Sequence, residues 1–408
     1  MGDAMRKTII AFIILFTSTC YAQEAQKDKV FVFRDFTGGV ATKLSDVSTE
    51  KKYARIAENV RLNNPLTAIS KRDQLYLYGT ADPSEPITGM HRLYTSDPSK
   101  VLIVTHGDEL EYGNDSTGNF TNILTFTYPS YRWQWLTWHD LAIGCDGYNQ
   151  PVKTNGTDAT YIGSLYAEDA GSGAGPDGTY TYKVSCHATS YSVGFDQVSN
   201  SVSPSNEDVD LSMIPIGPDT ILGEAILYRK VYRNSVAAPT TYQLLSNGKI
   251  SDNSTTTLTD SDADGALGAE TYPTCTETWT PPKGKLCLIH NNRLWLANNP
   301  DHPSRIYYSE DGSHDLFDPL SYFDIRTNDG DEITFIKNLL GILRVGKTNT
   351  IQNIYTEGAD PASDWSVSDP FSHIGCDAPY SAQDTPIGII YLARARDGIY
   401  VFNGRTQS

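Results

Sequence analysis

The chain has 408 residues, of which 20% are charged and 11% aromatic, with 25 Tyr, 32 Gly and 21 Pro. This length allows two or three domains, and the composition is that of a β-rich, turn-rich globular protein without a long amphipathic helix or a low-complexity tail. A formal net charge of −17 sets the surface against nucleic acid and anionic membrane, and the absence of a basic stripe with interleaved aromatics argues against phosphate-neutralising DNA binding.

Met5-Arg6-Lys7 forms a short basic region, Thr8 to Phe16 an apolar core, and Thr17 to Ala22 a run ending in small residues. Those are the proportions of a secretory leader over residues 1–22, too short for a stable membrane span. Five cysteines follow it (Cys145, Cys186, Cys275, Cys287 and Cys376) without C-x-x-C spacing. They predict neither a disulfide framework nor a zinc site, and most are expected to be small buried hydrophobes. Residues 23–84 read as a docking segment. Phe31 to Phe36 alternates like a strand, and Thr49 to Val60 is a helical patch with Tyr53, Ile56, Ala57 and Val60 on one face, ended by Asn63-Asn64-Pro65.

Beyond residue 85 the dominant pattern is the β-hairpin: two short apolar, β-prone runs joined by residues that tolerate positive φ. Such units span Val101 to Tyr112 (turn at Gly107-Asp108), Trp135 to Cys145 (His139-Asp140), Leu286 to Ala297 (Asn291-Asn292), Ile333 to Val345 (near Asn338) and Ile389 to Phe402 (Asp397-Gly398). Their turn centres are 33, 151, 47 and 59 residues apart. Excising the 114 residues from 165 to 278 reduces the outlier to 37. Hairpins recurring every ~35–60 residues predict propeller blades. The excised stretch opens on a hinge, Gly171-Ser172-Gly173-Ala174-Gly175, and continues in short alternating strands such as Thr179 to Val184 and Ala225 to Tyr232. Short strands at this spacing predict a sandwich of the immunoglobulin or fibronectin kind, with those two strands supplying opposing apolar faces. The expected fold is therefore all-β, a partial β-propeller over residues 85–164 and 280–408 carrying an inserted sandwich over 165–279. A blade cannot end with an open edge without leaving unpaired backbone groups. The chain is therefore expected to be part of a longer protein.

Three motif look-alikes carry little chemistry. Gly341 to Thr348 satisfies G-x-x-x-x-G-K-[ST], but Ile342 to Val345 is an apolar run suited to a strand, whereas phosphate binding needs a loop opening a helix. Lys347 then reads as a solvent-facing residue at a strand end. Asp260-Ser261-Asp262-Ala263-Asp264-Gly265 begins like a calcium loop, but Thr271 stands where the bidentate Glu is required, so an acidic turn is expected. Ser309 to Phe317 echoes the Asp-box of sialidase propellers with Asp and Gly adjacent, and reads as a hairpin turn. The eight His residues show no H-x-x-x-H or H-E-x-x-H spacing, and there is no G-x-S-x-G elbow. No catalytic, cofactor-binding or metal-binding residue is assigned, and no cofactor is expected.

Two segments resemble virion proteins of tailed bacteriophages, the group of packaged-DNA stabilisation and tail nozzle or tubular proteins. One is Phe33-Arg34-Asp35-Phe36-Thr37-Gly38-Gly39 with Ala57-Glu58-Asn59-Val60-Arg61 and Ile69-Ser70-Lys71-Arg72. The other runs from Lys285 to Ile354, with Asn292 to Ala297 and Pro303 to Ser309. The resemblance covers about two thirds of the chain and includes the fibronectin-like insertion. It implies a non-enzymatic homo-oligomeric ring at the head–tail junction or tail, in contact with portal or tail proteins, with DNA passing through the lumen without tight binding. An acidic surface suits such a conduit. The leader departs from this pattern and keeps open an exported bacterial adhesin or surface scaffold; the Asp-box echo alone supports a secreted propeller glycosidase.

Overall fold

The computed structural model describes residues 60–62, 69–71, 78–79, 85–97, 100–129, 131–221, 223–273, 277–358, 364–368, 373–393 and 398–404. The leader, the strand at Phe31 to Phe36, the helical patch short of Val60, Cys275 and Asp397 lie outside these residues. The chain divides into two compact units, Met1–Leu77 and Tyr78–Ser408. In the first, β1 (Val60–Leu62) pairs antiparallel with β2 (Ile69–Lys71), placing Arg61 opposite Ser70.

The second unit is all-β, as the turn spacing predicts, and consists of several small, open, largely antiparallel sheets. Sheet I is β3 (Ile87–Tyr94), β4 (Lys100–His106), β5 (Glu109–Gly113) and β6 (Phe120–Thr125), paired in chain order. Sheet II repeats the meander with β7 (Gln134–Trp138), β8 (Leu141–Cys145), β9 (Val152–Thr154) and β10 (Ala159–Tyr161).

Residues 166–279 carry β11 (Tyr166–Asp169), β12 (Tyr182–His187), β13 (Ser192–Phe195), β14 (Val209–Ser212), β15 (Thr220–Ile221), β16 (Glu224–Ala225), β17 (Tyr228–Ser235), β18 (Ala238–Ile250), β19 (Leu258–Asp260) and β20 (Glu277–Trp279). They form a three-stranded sheet ordered β11-β14-β19, a five-stranded sheet ordered β18-β17-β12-β13-β20, and the short β15–β16 pair. Ala167, Val209 and Leu211 from the first sheet pack with Tyr182, Val184, Val193 and Val231 from the second in one core.

Sheet III is β21 (Leu286–His290), β22 (Arg293–Asn299), β23 (His302–Tyr308) and β24 (Tyr322–Asp324). Sheet IV is β25 (Ile333–Leu339), β26 (Ile342–Lys347), β27 (Ile351–Tyr355) and β28 (Ser366–Val367). Sheet V is β29 (Gln383–Thr385), β30 (Gly388–Ala393) and β31 (Gly398–Phe402).

Four hydrophobic clusters join these five sheets in chain order. Leu93, Ile103 and Leu110 meet Trp133, Ala142 and Val152 between sheets I and II. Ile143 and Cys145 meet Cys287, Leu294 and Leu296 between II and III. Trp295, Ala297 and Ile306 meet Ile336, Leu343 and Val345 between III and IV. Phe335 and Ile351 meet Ile389, Tyr391 and Phe402 between IV and V. Consecutive residues therefore serve opposite clusters: Ala142 one, Ile143 the next; Leu294 one, Trp295 the next. A strand covered on both faces has no polar side to show, which is why these hairpins read as continuous apolar runs.

The turns follow residue chemistry. His139 (φ 51°) and Asp140 (φ 59°), like Asn291 (φ 50°) and Asn292 (φ 56°), place two positive-φ residues between paired strands, the geometry matching strand twist. Two details correct the sequence reading. The β25–β26 turn is Leu340-Gly341 (φ 56° and 78°), and Asn338 braces it by accepting the Gly341 N–H at 3.1 Å. Strands β12 and β17 are neighbours in one sheet, with Val184 opposite Val231. Their apolar alternation points to the same face, and the opposing face comes from β11, β14 and β19.

Candidate functional site

The β7–β8 turn, β9 and the loop after β23 converge on a cavity of about 410 Å³ against residues 166–279, the segment between sheets II and III (the insertion); it is lined by His139, Asp140, Lys153, His314, Asp315, Met213 and Thr256 among others. Asp140 is fixed because its carboxylate accepts the Ser96 N–H at 2.8 Å and also the Ser96 hydroxyl. Those bonds hold its carboxyl below the usual carboxylate range. His139 lies on the Trp138 ring (centroids 4.6 Å apart) and 6.0 Å from the His314 ring.

The chemical centre is a buried group of three. Lys153 Nζ donates to Asp315 Oδ1 at 2.7 Å, and both side chains are 1% exposed. The Gly163 N–H donates to the same oxygen at 2.8 Å, and His314 Nε2 lies 3.2 Å from Asp315 Oδ2. Burial alone would raise the Asp315 carboxyl, but His314, Lys153 and the Gly163 N–H outweigh it and leave it below its ordinary value. Burial pulls Lys153 down against the attraction of Asp315, and it pulls His314 down to about 4. The Lys153–Asp315 contact has the geometry of an ion pair, set beside an imidazole whose cation burial disfavours. Both His314 ring nitrogens and Asp315 Oδ2 lack hydrogen-bond partners, so polar capacity remains toward a cavity large enough for several waters. The loop is anchored from the insertion as well, since Ser313 Oγ donates to the Ile216 carbonyl at 2.7 Å and Leu316 joins the insertion core. The arrangement ties sheet II, the 309–317 loop and the insertion together.

The three motif look-alikes resolve as follows. Ile342–Lys347 of the P-loop match is strand β26, flanked by strands on both sides. Lys347 is not solvent-facing: it is fully buried, and its Nζ donates to Asp329 Oδ1 at 2.6 Å, Ile325 O at 2.9 Å, Ser304 Oγ at 3.0 Å and Arg326 O at 3.0 Å. Stacking of sheet IV on sheet III encloses the strand end. In the calcium-like turn, Asp260 Oδ2 accepts Arg233 at 2.6 Å, Asp264 Oδ1 accepts it at 3.1 Å, and the Asp262 carbonyl accepts it at 2.8 Å. Asp262 Oδ1 accepts Ser246 Oγ at 2.7 Å. The turn is a cradle for a buried guanidinium. The Asp-box echo is the longer loop between β23 and β24, and its Asp315 supplies the anion of the cavity.

A second, smaller cleft of about 220 Å³ lies where the first strands of sheets I to IV approach, lined by Met90, Arg132, Gln134, Trp135, Lys337 and Tyr380. Gln134 bridges β7 to β21 as a backbone unit would: its Oε1 accepts the Cys287 N–H and its Nε2 donates to the Cys287 carbonyl, both at 3.2 Å. Arg132 stacks over Tyr380 at 3.9 Å. Cys145, Cys186, Cys287 and Cys376 are buried, and among the described residues no helix is long and apolar enough to cross a membrane.

Compared with models of known protein families and with curated proteins, the chain finds no match.

Proposed function

We propose that this chain is a structural, non-enzymatic virion protein: an incomplete β-propeller with an inserted fibronectin-like sandwich, acting as a ring subunit at the head–tail junction or tail of a bacteriophage. The observation that carries the reading is the succession of five sheets joined face to face in chain order, with β3 beside β7, β7 beside β21 and β21 beside β25. First strands that neighbour one another around a common cleft are how propeller blades are ordered. The insertion leaves this series between its second and third members without breaking it. Sheets at both ends expose apolar side chains, Ile87, Met90 and Tyr94 on β3 and Ile399 on β31, which supports completion by neighbouring subunits. A charge of −17 suits a lumen that DNA crosses without adhering.

The test is the solution mass of the protein, measured by light scattering with and without residues 23–60, with duplex DNA retention at physiological salt alongside. A ring that requires the N-terminal segment and retains no DNA supports the assignment. A stable monomer with tight, salt-sensitive DNA binding refutes it. Residues 1–22 favour a second reading, an exported scaffold or adhesin, which a cleaved product recovered outside the cytoplasm would support.

A further inference from the structure

The geometry points to a binding site for a divalent transition-metal ion of the zinc class at His106, Glu109 and Glu111. Strand β4 ends at His106, Gly107-Asp108 makes the turn, and β5 begins at Glu109. The register sets Glu109 opposite His106 and Glu111 opposite Val104, one pleat further along. Strand alternation places all three side chains on one face of sheet I, the reverse of the face whose Ile103 and Leu110 pack on sheet II.

One ligand atom from each residue lies within 4.8 Å of the other two. His106 Nε2 is 2.8 Å from Glu111 Oε2 and 3.9 Å from Glu109 Oε2. His106 is 2% exposed and Glu111 8%. Despite that short approach, neither His106 Nε2 nor Glu111 Oε2 makes a hydrogen bond; the two atoms face each other outside hydrogen-bond geometry. Two buried acceptor-capable atoms left in this way are costly unless something binds both. Glu109 is already oriented, because its Oε1 accepts Asn122 Nδ2 at 2.7 Å, leaving Oε2 toward the imidazole. An outer partner of this kind is what fixes a metal ligand's direction.

The donor set selects the ion. One imidazole nitrogen and two carboxylate oxygens suit zinc and its borderline neighbours, bound at ~2.0–2.2 Å by three protein ligands with a position left open. At the tetrahedral angle such bond lengths require ligand atoms roughly 3.3–3.6 Å apart, between the two separations seen, so small side-chain rotations on a fixed hairpin would seat the ion. Calcium and magnesium, which take oxygen ligands, gain little from the imidazole.

The experiment uses the full chain, free of affinity tags and stripped with chelator, titrated with zinc chloride by calorimetry, with thermal midpoints recorded in zinc and in calcium at equal concentration. One zinc per chain, a raised midpoint in zinc and no rise in calcium are expected. His106→Ala and Glu109→Gln should each weaken zinc by more than the ~10–100-fold that loss of an outer partner costs. Glu109 is partly exposed, so its variant keeps the test meaningful if His106→Ala misfolds. Absence of zinc binding at millimolar concentration, or wild-type affinity in a folded Glu109→Gln protein, would overturn the site.

Discussion

Replacing Asp315 by Ala should expose how the cavity group is balanced. The variant leaves the Lys153 ammonium, 1% exposed, without its anion, and leaves the Gly163 N–H, which donates to Asp315 at 2.8 Å, without an acceptor. Breaking a buried pair from one side costs ~3–5 kcal/mol. A ceiling comes from the lysine itself, which can shed its proton. Doing so at pH 7.5 from an ordinary value near 10.4 costs about 4 kcal/mol, and at pH 9.5 only about 1 kcal/mol. The loss in Asp315→Ala should therefore be about 4 kcal/mol at pH 7.5 and shrink steeply as the buffer is made alkaline. Lys153→Met combined with Asp315→Leu should lie within about 2 kcal/mol of the parent at either pH, since no charge is then buried alone. The assay is equilibrium denaturation of the parent, Lys153→Met, Asp315→Leu and their double variant, read as a double-mutant cycle, with Asp315→Ala measured alongside. A pH-independent loss in Asp315→Ala, or a double variant no more stable than that single variant, would refute the argument.

Lys347→Ala should destabilise by about 3 kcal/mol in the same assay, because four acceptors lose their donor at a buried position; millimolar ATP should leave the parent's thermal midpoint unchanged. Arg233→Lys should cost about 2 kcal/mol, since an ammonium cannot span Asp260, Asp262 and Asp264 at once. Millimolar calcium should add no stability at this turn, and a calcium-dependent midpoint abolished by Asp260→Asn would contradict the cradle. His314 sits at about 4 in the folded chain because burial disfavours its cation. Above pH 6.5 both states are neutral there and it contributes nothing. Between 6.5 and about 4 the unfolded chain takes the proton first, so stability falls with falling pH by about 3 kcal/mol. His314→Gln should flatten that limb of the pH–stability curve, and an unchanged limb would show that other groups govern it.

Much of the fold is legible in the residues. Paired Asn or His-Asp at hairpin centres announces positive φ, and continuous apolar runs announce strands covered on both faces. The apolar, partly β-branched run Ile342 to Val345 identifies a strand where the motif alone would suggest a phosphate loop. What escapes the sequence is where a charge goes after sheets stack. Nothing in Val152-Lys153-Thr154 or in Ser313-His314-Asp315 marks residues 162 positions apart as partners, and Lys347 at a strand end looks like any exposed lysine. Its burial depends on the Ile325–Asp329 link folding over it. The His106 cluster was hidden for a related reason. Searches for ligand pairs assume helical spacing, whereas H-x-x-E-x-E converges only when a tight turn sets Glu109 opposite His106 and the pleat returns Glu111 to the same face. That signal can be sought wherever a Gly-Asp turn joins two strands.

Polar groups recur at each seam between sheets. His91 meets Thr137 Oγ1 at 2.8 Å between sheets I and II, and Gln134 meets the Cys287 backbone between II and III. Asn298 donates to the Ile333 carbonyl at 2.7 Å between III and IV. Lys337 lies 3.4 Å from Asp384 between IV and V. The apolar clusters cannot choose among neighbours, because one Leu- and Ile-lined sheet face packs on another in many registers and orders. A side-chain amide that needs one particular N–H and C=O accepts few alternatives, since a mispaired seam would bury it unsatisfied. The hydrophobic faces thus supply the free energy of stacking and the polar contacts its order. Lys153–Asp315 applies the same rule to the insertion: sheet II and the 309–317 loop meet beneath it only when both ions are matched. A chain whose sheets must assemble in sequence, with 124 residues interposed between the last strand of the second, ending at Tyr161, and the first of the third, starting at Leu286, requires that specificity most at the seam where these buried charges lie.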